Sequence, residues 1–243
     1  LAGCSSISEP ETDSKPISHE RWDQLLSRHV HESGLVDYQG FLEDSTELNQ
    51  YLSQVAGHHP NDQNWSHQEQ LAYWINAYNA YTIQLILRHY PVTSIKDIVT
   101  GPSIPFVNSP WDIRFIHIEG ATYDLNNLEH DIMRERFNEP RIHFAINCAS
   151  MSCPMLRKEA YTADQLEKQL NEQAQTFLNN PTKNKISRKR VVISKIFKWF
   201  SDDFTQNGRV TEFINQYTNT PIEKGAKVEW MPYNWQLNAK DQG

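Results

Sequence analysis

The sequence predicts one α+β domain, a central buried helix packed with a small mixed or antiparallel sheet, on an N-terminal tether. Three observations carry this. After Ser66 the chain runs QLAYWINAYNAYTIQLILRHY without a break until Pro91, and Leu71, Trp74, Ile75, Tyr78, Ile83, Leu85 and Ile86 place apolar side chains on almost every face. A helix apolar all round belongs in the middle of a domain. Short strand-like runs lie among the helical segments. Residues 19–238 contain no internal repeat and no linker, and 243 residues suffice for one generous domain, able to bury roughly 70–75% of its unfolded surface.

Each element has its own signal. Ser18 precedes an amphipathic stretch carrying Trp22, Leu25, Leu26 and Val30 that breaks at Ser33-Gly34, and a second short helix is expected over 45–56. Ser66-x-x-Glu69 is a capping box for the central helix. Residues 113–123 alternate around Glu119-Gly120, a hairpin turn, and 128–137 return to helix. After Pro140, Arg141–Asn147 reads as a short interior strand. Thr162-x-x-Gln165 caps a helix with Leu166, Leu170, Ala174 and Phe177 on one side. Val191–Ser194 is a strand, 195–204 and 210–217 are short helices, and Val228–Trp230 is the last strand. Residues 239–243 are left as a tail.

Composition narrows the function. Apolar residues make up 38% and charged residues 22%, which excludes a collagenous chain, a coiled-coil rod and a wholly disordered protein. No apolar run approaches the roughly 18 residues of a membrane span. The formal net charge of -7 argues against a nucleic-acid binder. Seven Trp, 10 Tyr and 10 Phe suit a tightly packed core or a groove lined with rings. Leu1-Ala2-Gly3-Cys4 resembles the lipobox of bacterial lipoproteins, in which the cysteine sulfur receives a diacylglycerol. The expected partner is therefore a membrane reached through lipidated Cys4, and Ser5 after the cysteine favours the periplasmic side of the outer membrane. Residues 5–18 are polar and Pro-containing and read as a flexible tether.

The densest chemistry lies in His143-Phe-Ala-Ile-Asn-Cys148-Ala-Ser150-Met-Ser152-Cys153-Pro154. A nucleophilic cysteine needs its thiolate stabilised by an imidazolium or a helix N-terminus, and a third group to orient the imidazole. Cys148 is the candidate nucleophile, His143 or His130 the base, Glu129 or an Asn the orienting group, and Ser150 an oxyanion donor. In a strand His143 and Cys148 point to opposite faces, so their contact requires the loop to turn back. Cys148 and Cys153 can also close a disulfide. Asn76, Asn79 and Arg141 complete the candidate binding set, although buried amides on a core helix more often anchor loops. His58-His59 and His29-x-His31 lack companions at metal-ligand spacing, so no metal is expected. P-loop, GxGxxG, HExxH and GxSxG patterns are missing from the sequence, and no cofactor is implied. The basic cluster Lys183, Lys185, Arg188, Lys189 and Arg190 reads as a solvated turn.

Taken in order, Tyr73–Asn79, Leu128–His130, Pro140–His143, Asn147–Pro154, Val191–Phe204 and Tyr233–Asn238 resemble the domain of unknown function 547 family, from about Val36 to Asn238. Its motif residues fall here on Asn76, Asn79, Glu129, His130, Arg141, His143, Cys148, Ser150 and Cys153. The resemblance implies an exported bacterial protein. In some eukaryotic relatives the domain accompanies a glutaredoxin-like module, which brings thiol chemistry in by association. Three readings follow. One is a cell-envelope lipoprotein with a cysteine-centred hydrolase or acyltransferase site for peptides or amides. The second is a non-catalytic lipoprotein binding a peptide or envelope protein, its two cysteines bonded or buried and neither imidazole in reach of sulfur. The third, a thiol–disulfide role, ranks last because C-x-x-C is the usual redox spacing.

Overall fold

Ser66 caps a helix whose interior positions have nowhere to go but inward, and the rest of the chain wraps it. The structure, a computed structural model, describes residues 10, 12–98 and 109–240. Its helices are α1 (Glu20–His29), α2 (Tyr38–Glu43), α3 (Ser45–Ala56), α4 (His67–His89), α5 (Glu135–Phe137), α6 (Ile142–Ala145), α7 (Leu166–Leu178), α8 (Ile196–Trp199), α9 (Ser201–Phe204) and α10 (Val210–Ile214). A π-helix, Asn127–Arg134, runs into α5. Strands β1 (Ile116–Ile118) and β2 (Ala121–Tyr123) form an antiparallel hairpin, while β3 (Lys185–Ile186), β4 (Arg190–Ile193) and β5 (Lys227–Trp230) form a mixed sheet with β4 central. The predicted α+β class, the central helix and the small mixed sheet are all present.

The capping box closes on both sides: the Ser66 hydroxyl accepts from the Glu69 N–H at 3.2 Å and Glu69 Oε2 accepts from the Ser66 N–H at 2.7 Å. Every residue from Gln70 to Ile83 is then buried. Helices α1, α2 and α3 and the β1–β2 hairpin pack around α4 in a first hydrophobic core. A second core gathers Phe144, Phe177, Val191, Ile193, Phe197, Phe204 and Ile214 from α6, α7, β4 and α8–α10. The hairpin turns at Glu119-Gly120, both left-handed with φ of 43° and 84°, the geometry a two-residue hairpin requires.

Four expectations change. Residues 141–147 are not a strand. Pro140 fixes a helix-compatible φ at the start, its carbonyl accepts from the His143 N–H at 3.3 Å, and Ile142–Ala145 make one helical turn before Ile146 extends. A short apolar run in a fully buried place has no face preference by which to tell helix from strand. The Thr162-x-x-Gln165 cap is replaced by Gln169, whose Oε1 accepts from the Thr162 N–H at 3.1 Å. The tether ends earlier than residue 18. Ser14 is buried, its hydroxyl donates to the His59 carbonyl, and its own carbonyl accepts from Trp65 Nε1 at 3.0 Å and Asn61 Nδ2 at 2.9 Å. Buried donors need acceptors, and this stretch of backbone supplies them. The tail also starts later, because Ala239 and Lys240 pair with Val36. Cys4 lies outside the described residues.

The C-terminal stretch acts as a strap. Leu237 bridges to Ser150, Asn238 and Lys240 bond Val36, and the Met151 and Ser152 N–H groups donate to the carbonyls of Gln236 and Asn234 at 2.8 and 3.1 Å. It thereby carries Tyr233 and Trp235 to the cysteine loop. Among the described residues no helix is long and apolar enough to cross a membrane. In the basic cluster Arg188 and Arg190 pair with Glu223 and Glu229 at 3.0 and 2.6 Å.

Phe144 is fully buried and its ring meets those of Phe177, Phe204 and Phe197 at centroid distances of 5.3, 5.7 and 5.8 Å. Phe144→Ala should therefore lower the unfolding free energy by about 3–5 kcal/mol, read from urea denaturation followed by tryptophan fluorescence.

Candidate functional site

The two cores meet at a cleft of about 180 Å³ whose walls include Tyr78, Trp111, Glu129, His130, His143, Cys148, Cys153, Trp199, Phe200, Tyr233 and Trp235. Four expected site residues, Glu129, His130, His143 and Cys148, are thus brought together with Cys153. The π-helix is the reason Glu129 and His130 both reach it. Asp124 and Asn127 fix its start by accepting from each other's backbone N–H at 2.7 and 3.0 Å. Its i→i+5 turns rotate the chain less per residue than the roughly 100° of an α-helix, so neighbours share a side more closely.

At the floor, one carboxylate organises two side chains through three hydrogen bonds. Asp203 accepts from Arg134 Nε and Nη2 at 2.6 and 2.9 Å and from His143 Nε2 at 2.6 Å. Burial would raise its carboxyl, but the bonds from His143 and Arg134 outweigh burial and hold it well below the usual carboxylate range. The proton of this hydrogen bond therefore sits on His143 Nε2, leaving Nδ1 as a lone pair 3.7 Å from Glu129 Oε1. Burial pushes His143 down, with Arg134 and His130 adding to it against the pull of Asp203, so the ring is neutral at pH 7. It stacks on Phe200 at 3.9 Å. His130 is lowered by burial and by Arg134, whose Nη1 donates to its Nδ1 at 2.8 Å; its other nitrogen carries the proton. Glu129 is pushed up to about 7 by burial, against the opposing pull of Arg134. Tyr78 donates to its Oε2 at 3.4 Å.

The opposite wall is a disulfide. Cys148 and Cys153 are bonded to each other, with Cα atoms 6.2 Å apart. In this state Cys148 has no thiol to deprotonate, and among the described residues no hydrogen bond joins an imidazole to either sulfur. Both nitrogens of His143 face carboxyl groups instead. The orienting group is Asp203 rather than Glu129 alone. Ser150 is buried, and its hydroxyl donates to the Tyr233 oxygen at 3.3 Å and lies 3.4 Å from Cys148 Sγ; it supports the wall.

The other expected binding residues are structural. Asn76 is fully buried and clamps the Tyr161 backbone, donating to its carbonyl at 2.8 Å and accepting from its N–H at 2.9 Å. Asn79 does the same between the Ala145 carbonyl at 3.0 Å and the Asn147 N–H at 2.8 Å. Each satisfies backbone groups that the turns around them leave unpaired. Arg141 is held by Glu139, Glu167 and Asn171 and faces a neighbouring groove, not the cleft.

Residues 63–178 match the family described as Protein of unknown function, DUF547. This segment of the chain is a DUF547 segment. No curated protein and no solved structure matches it. The matched segment starts just before the capping box and ends with α7, so it holds Glu129, His130, His143 and both cysteines. Asp203, Trp199, Tyr233 and Trp235, which complete the cleft, lie beyond it. Reading from sequence missed Asp203 and Arg134 because neither sits in a recognisable spacing. The paired aromatics Trp199-Phe200 and Tyr233-x-Trp235 were the available signal for the rim.

Glu129 also leaves a mark on stability. Its folded value of about 7 lies above its ordinary 4.5. Between these values the folded chain holds a proton that the unfolded chain has released, so this group's contribution to stability falls as pH rises and is lowest above about 7. Glu129→Gln removes that titration. The stability of the variant relative to wild type should rise by about 3 kcal/mol between pH 4.5 and 7, measured by urea denaturation across that range. A flat difference would mean an ordinary carboxyl.

Proposed function

We propose that this protein is a ligand-binding module of the bacterial cell envelope, held through lipidated Cys4 on the periplasmic side of the outer membrane. The ligand class is a peptide, or an exposed segment of an envelope protein, presenting one flat apolar side chain next to a hydrogen-bonding group. One observation carries the reading: a buried carboxyl and two neutral imidazoles form the floor of a cleft whose rim is built of indoles. Trp199 is 46% exposed, yet it packs on Tyr233 and Trp235 at 4.7 and 5.8 Å, so it is held in place rather than left loose. Exposed rings ordered in this way are what a binding surface needs, because they supply contact area at low cost in conformational entropy. The floor supplies polarity: Glu129 in its protonated form donates, and the protonated nitrogen of His130 donates beside it. A site of this size takes one side chain, with apolar walls and few polar groups fixing orientation.

The hydrolase reading requires a free Cys148 thiol and an imidazole on it, and the bonded sulfur supports neither. The cell-envelope assignment rests on the lipobox resemblance at Leu1–Cys4.

A panel of N-acetyl amino-acid amides titrated against the full chain, followed by ligand-observed NMR, tests the cleft. Amides with aromatic side chains should bind, and Trp199→Ala should weaken them at least tenfold, about 1.4 kcal/mol. Binding that is unchanged in that variant, or no binding by any member of the panel, would sink the reading.

A further inference from the structure

The two sulfurs of the cleft wall are not equivalent. Cys148 is half-buried and Cys153 is buried at 4% exposure, and both line the cleft. Cys153 Sγ receives two donors: the Cys148 backbone N–H at 3.0 Å and the Tyr233 hydroxyl at 3.4 Å. The N–H is turned onto that sulfur by a loop in which Ala149 adopts a left-handed φ of 59°, a conformation that residues other than glycine adopt at a cost. The Tyr233 hydroxyl is also 3.4 Å from Cys148 Sγ and accepts from Ser150. A disulfide sulfur is a weak acceptor. Donors aimed at it contribute little while it is bonded, and far more once it carries negative charge. Burial and neighbouring groups keep Tyr233 protonated through neutral pH, so it stays a donor.

We propose that the Cys148–Cys153 bond is a thiol-exchange centre: a thiol of the low-molecular-weight or peptide-cysteine class enters the cleft and attacks Cys148 Sγ, and Cys153 Sγ is the leaving sulfur, received by the Cys148 N–H and the Tyr233 hydroxyl. In the first step the incoming thiolate forms a bond to Cys148 Sγ and the Cys148–Cys153 bond breaks, its electron pair going to Cys153 Sγ, which takes a proton from solvent. In the second, another thiolate of the same class attacks the incoming sulfur and releases Cys148 as a thiolate. Two thiols are oxidised to one disulfide and the protein disulfide is reduced to a dithiol, a balanced two-electron exchange. The assignment does not depend on the peptide-binding reading, since it needs only access to Cys148 and donors on Cys153.

The test uses the intact chain and reduced glutathione as the probe, with acid quenching and location of adducts by mass. In native buffer glutathione should open the bond faster than the protein unfolds, the unfolding rate being read separately from tryptophan fluorescence. The trapped mixed disulfide should lie on Cys148. Tyr233→Phe should slow opening on the order of fivefold, the rate equivalent of one hydrogen bond, and should leave the rate in 8 M urea equal to that of wild type. An adduct on Cys153, or opening that proceeds only at the unfolding rate, would overturn the proposal without touching the amide-binding test above. If Tyr233→Phe does not fold, the adduct position and the comparison of opening with unfolding decide it on the wild-type chain. Equal native rates for a folded Tyr233→Phe would remove Tyr233 from the assignment and overturn the two-donor mechanism.

Discussion

The Asp203 carboxylate is the contact on which the cleft depends. It comes from α9, in the second core, and is gripped by Arg134 at the end of the π-helix and by His143 on α6. Without it the two halves of the floor would face each other as an arginine and two imidazoles, with nothing to set their spacing. With it, the charge of Arg134 is matched, the tautomer of His143 is fixed, and the Nδ1 lone pair is turned toward Glu129. A half-buried pair of this kind is tolerated because its charges are matched and both oxygens of Asp203 accept: Arg134 also bonds His130 and lies over the Phe200 ring at 5.2 Å.

A second constraint lies one layer deeper. Helix α4 is apolar enough to be central, yet it places Asn76 and Asn79 in that core, and each is satisfied by the backbone of a distant loop. Asn79 holds the backbone at Ala145 and Asn147, the two residues that lead from His143 into the cysteine loop. Asn147 in turn donates to the Pro154 carbonyl at 2.7 Å and accepts from the Ala149 N–H at 2.9 Å. The loop carrying Cys148 and Cys153 is therefore tied to the central helix by a chain of buried hydrogen bonds in which an unpaired member would be costly. This is how a segment with no regular structure of its own presents two sulfurs at a fixed place.

Legibility from sequence followed the same physics. The central helix was readable in full, since a capping box, a long apolar run and a proline stop all agree. The hairpin was readable from Glu119-Gly120. The stretch 141–147 was not, because complete burial erases the alternation that separates strand from helix, and only Pro140 hinted at a turn. Cys148, His143, His130 and Glu129 were recognised as a group from their chemical types, and the bond between Cys148 and Cys153 is one of the alternatives the sequence left open. The base–nucleophile pairing requires a free thiol, whereas the sulfurs are joined, His143 faces two carboxyl groups and His130 accepts from Arg134. Asp203 was invisible as a site residue because its partners lie 60 to 69 positions away, and no local pattern encodes such a contact.

The protonation states of the floor give the cleft a character that none of its residues has alone. Asp203 and Arg134 cancel, and both imidazoles are held neutral by burial to below their ordinary range. The remaining variable charge is that of Glu129, which changes near pH 7. Below that pH the floor is neutral and offers the Glu129 proton to an acceptor. Above it the floor carries one negative charge, and the same oxygen accepts from a donor or a cation. The aromatic rim does not titrate, so its shape is constant while the charge of the floor turns over within about one pH unit on either side of neutrality. The disulfide wall stands outside that titration, since a bonded sulfur has no proton to gain. The titrating carboxyl of Glu129 and the Cys148–Cys153 bond therefore face one cleft.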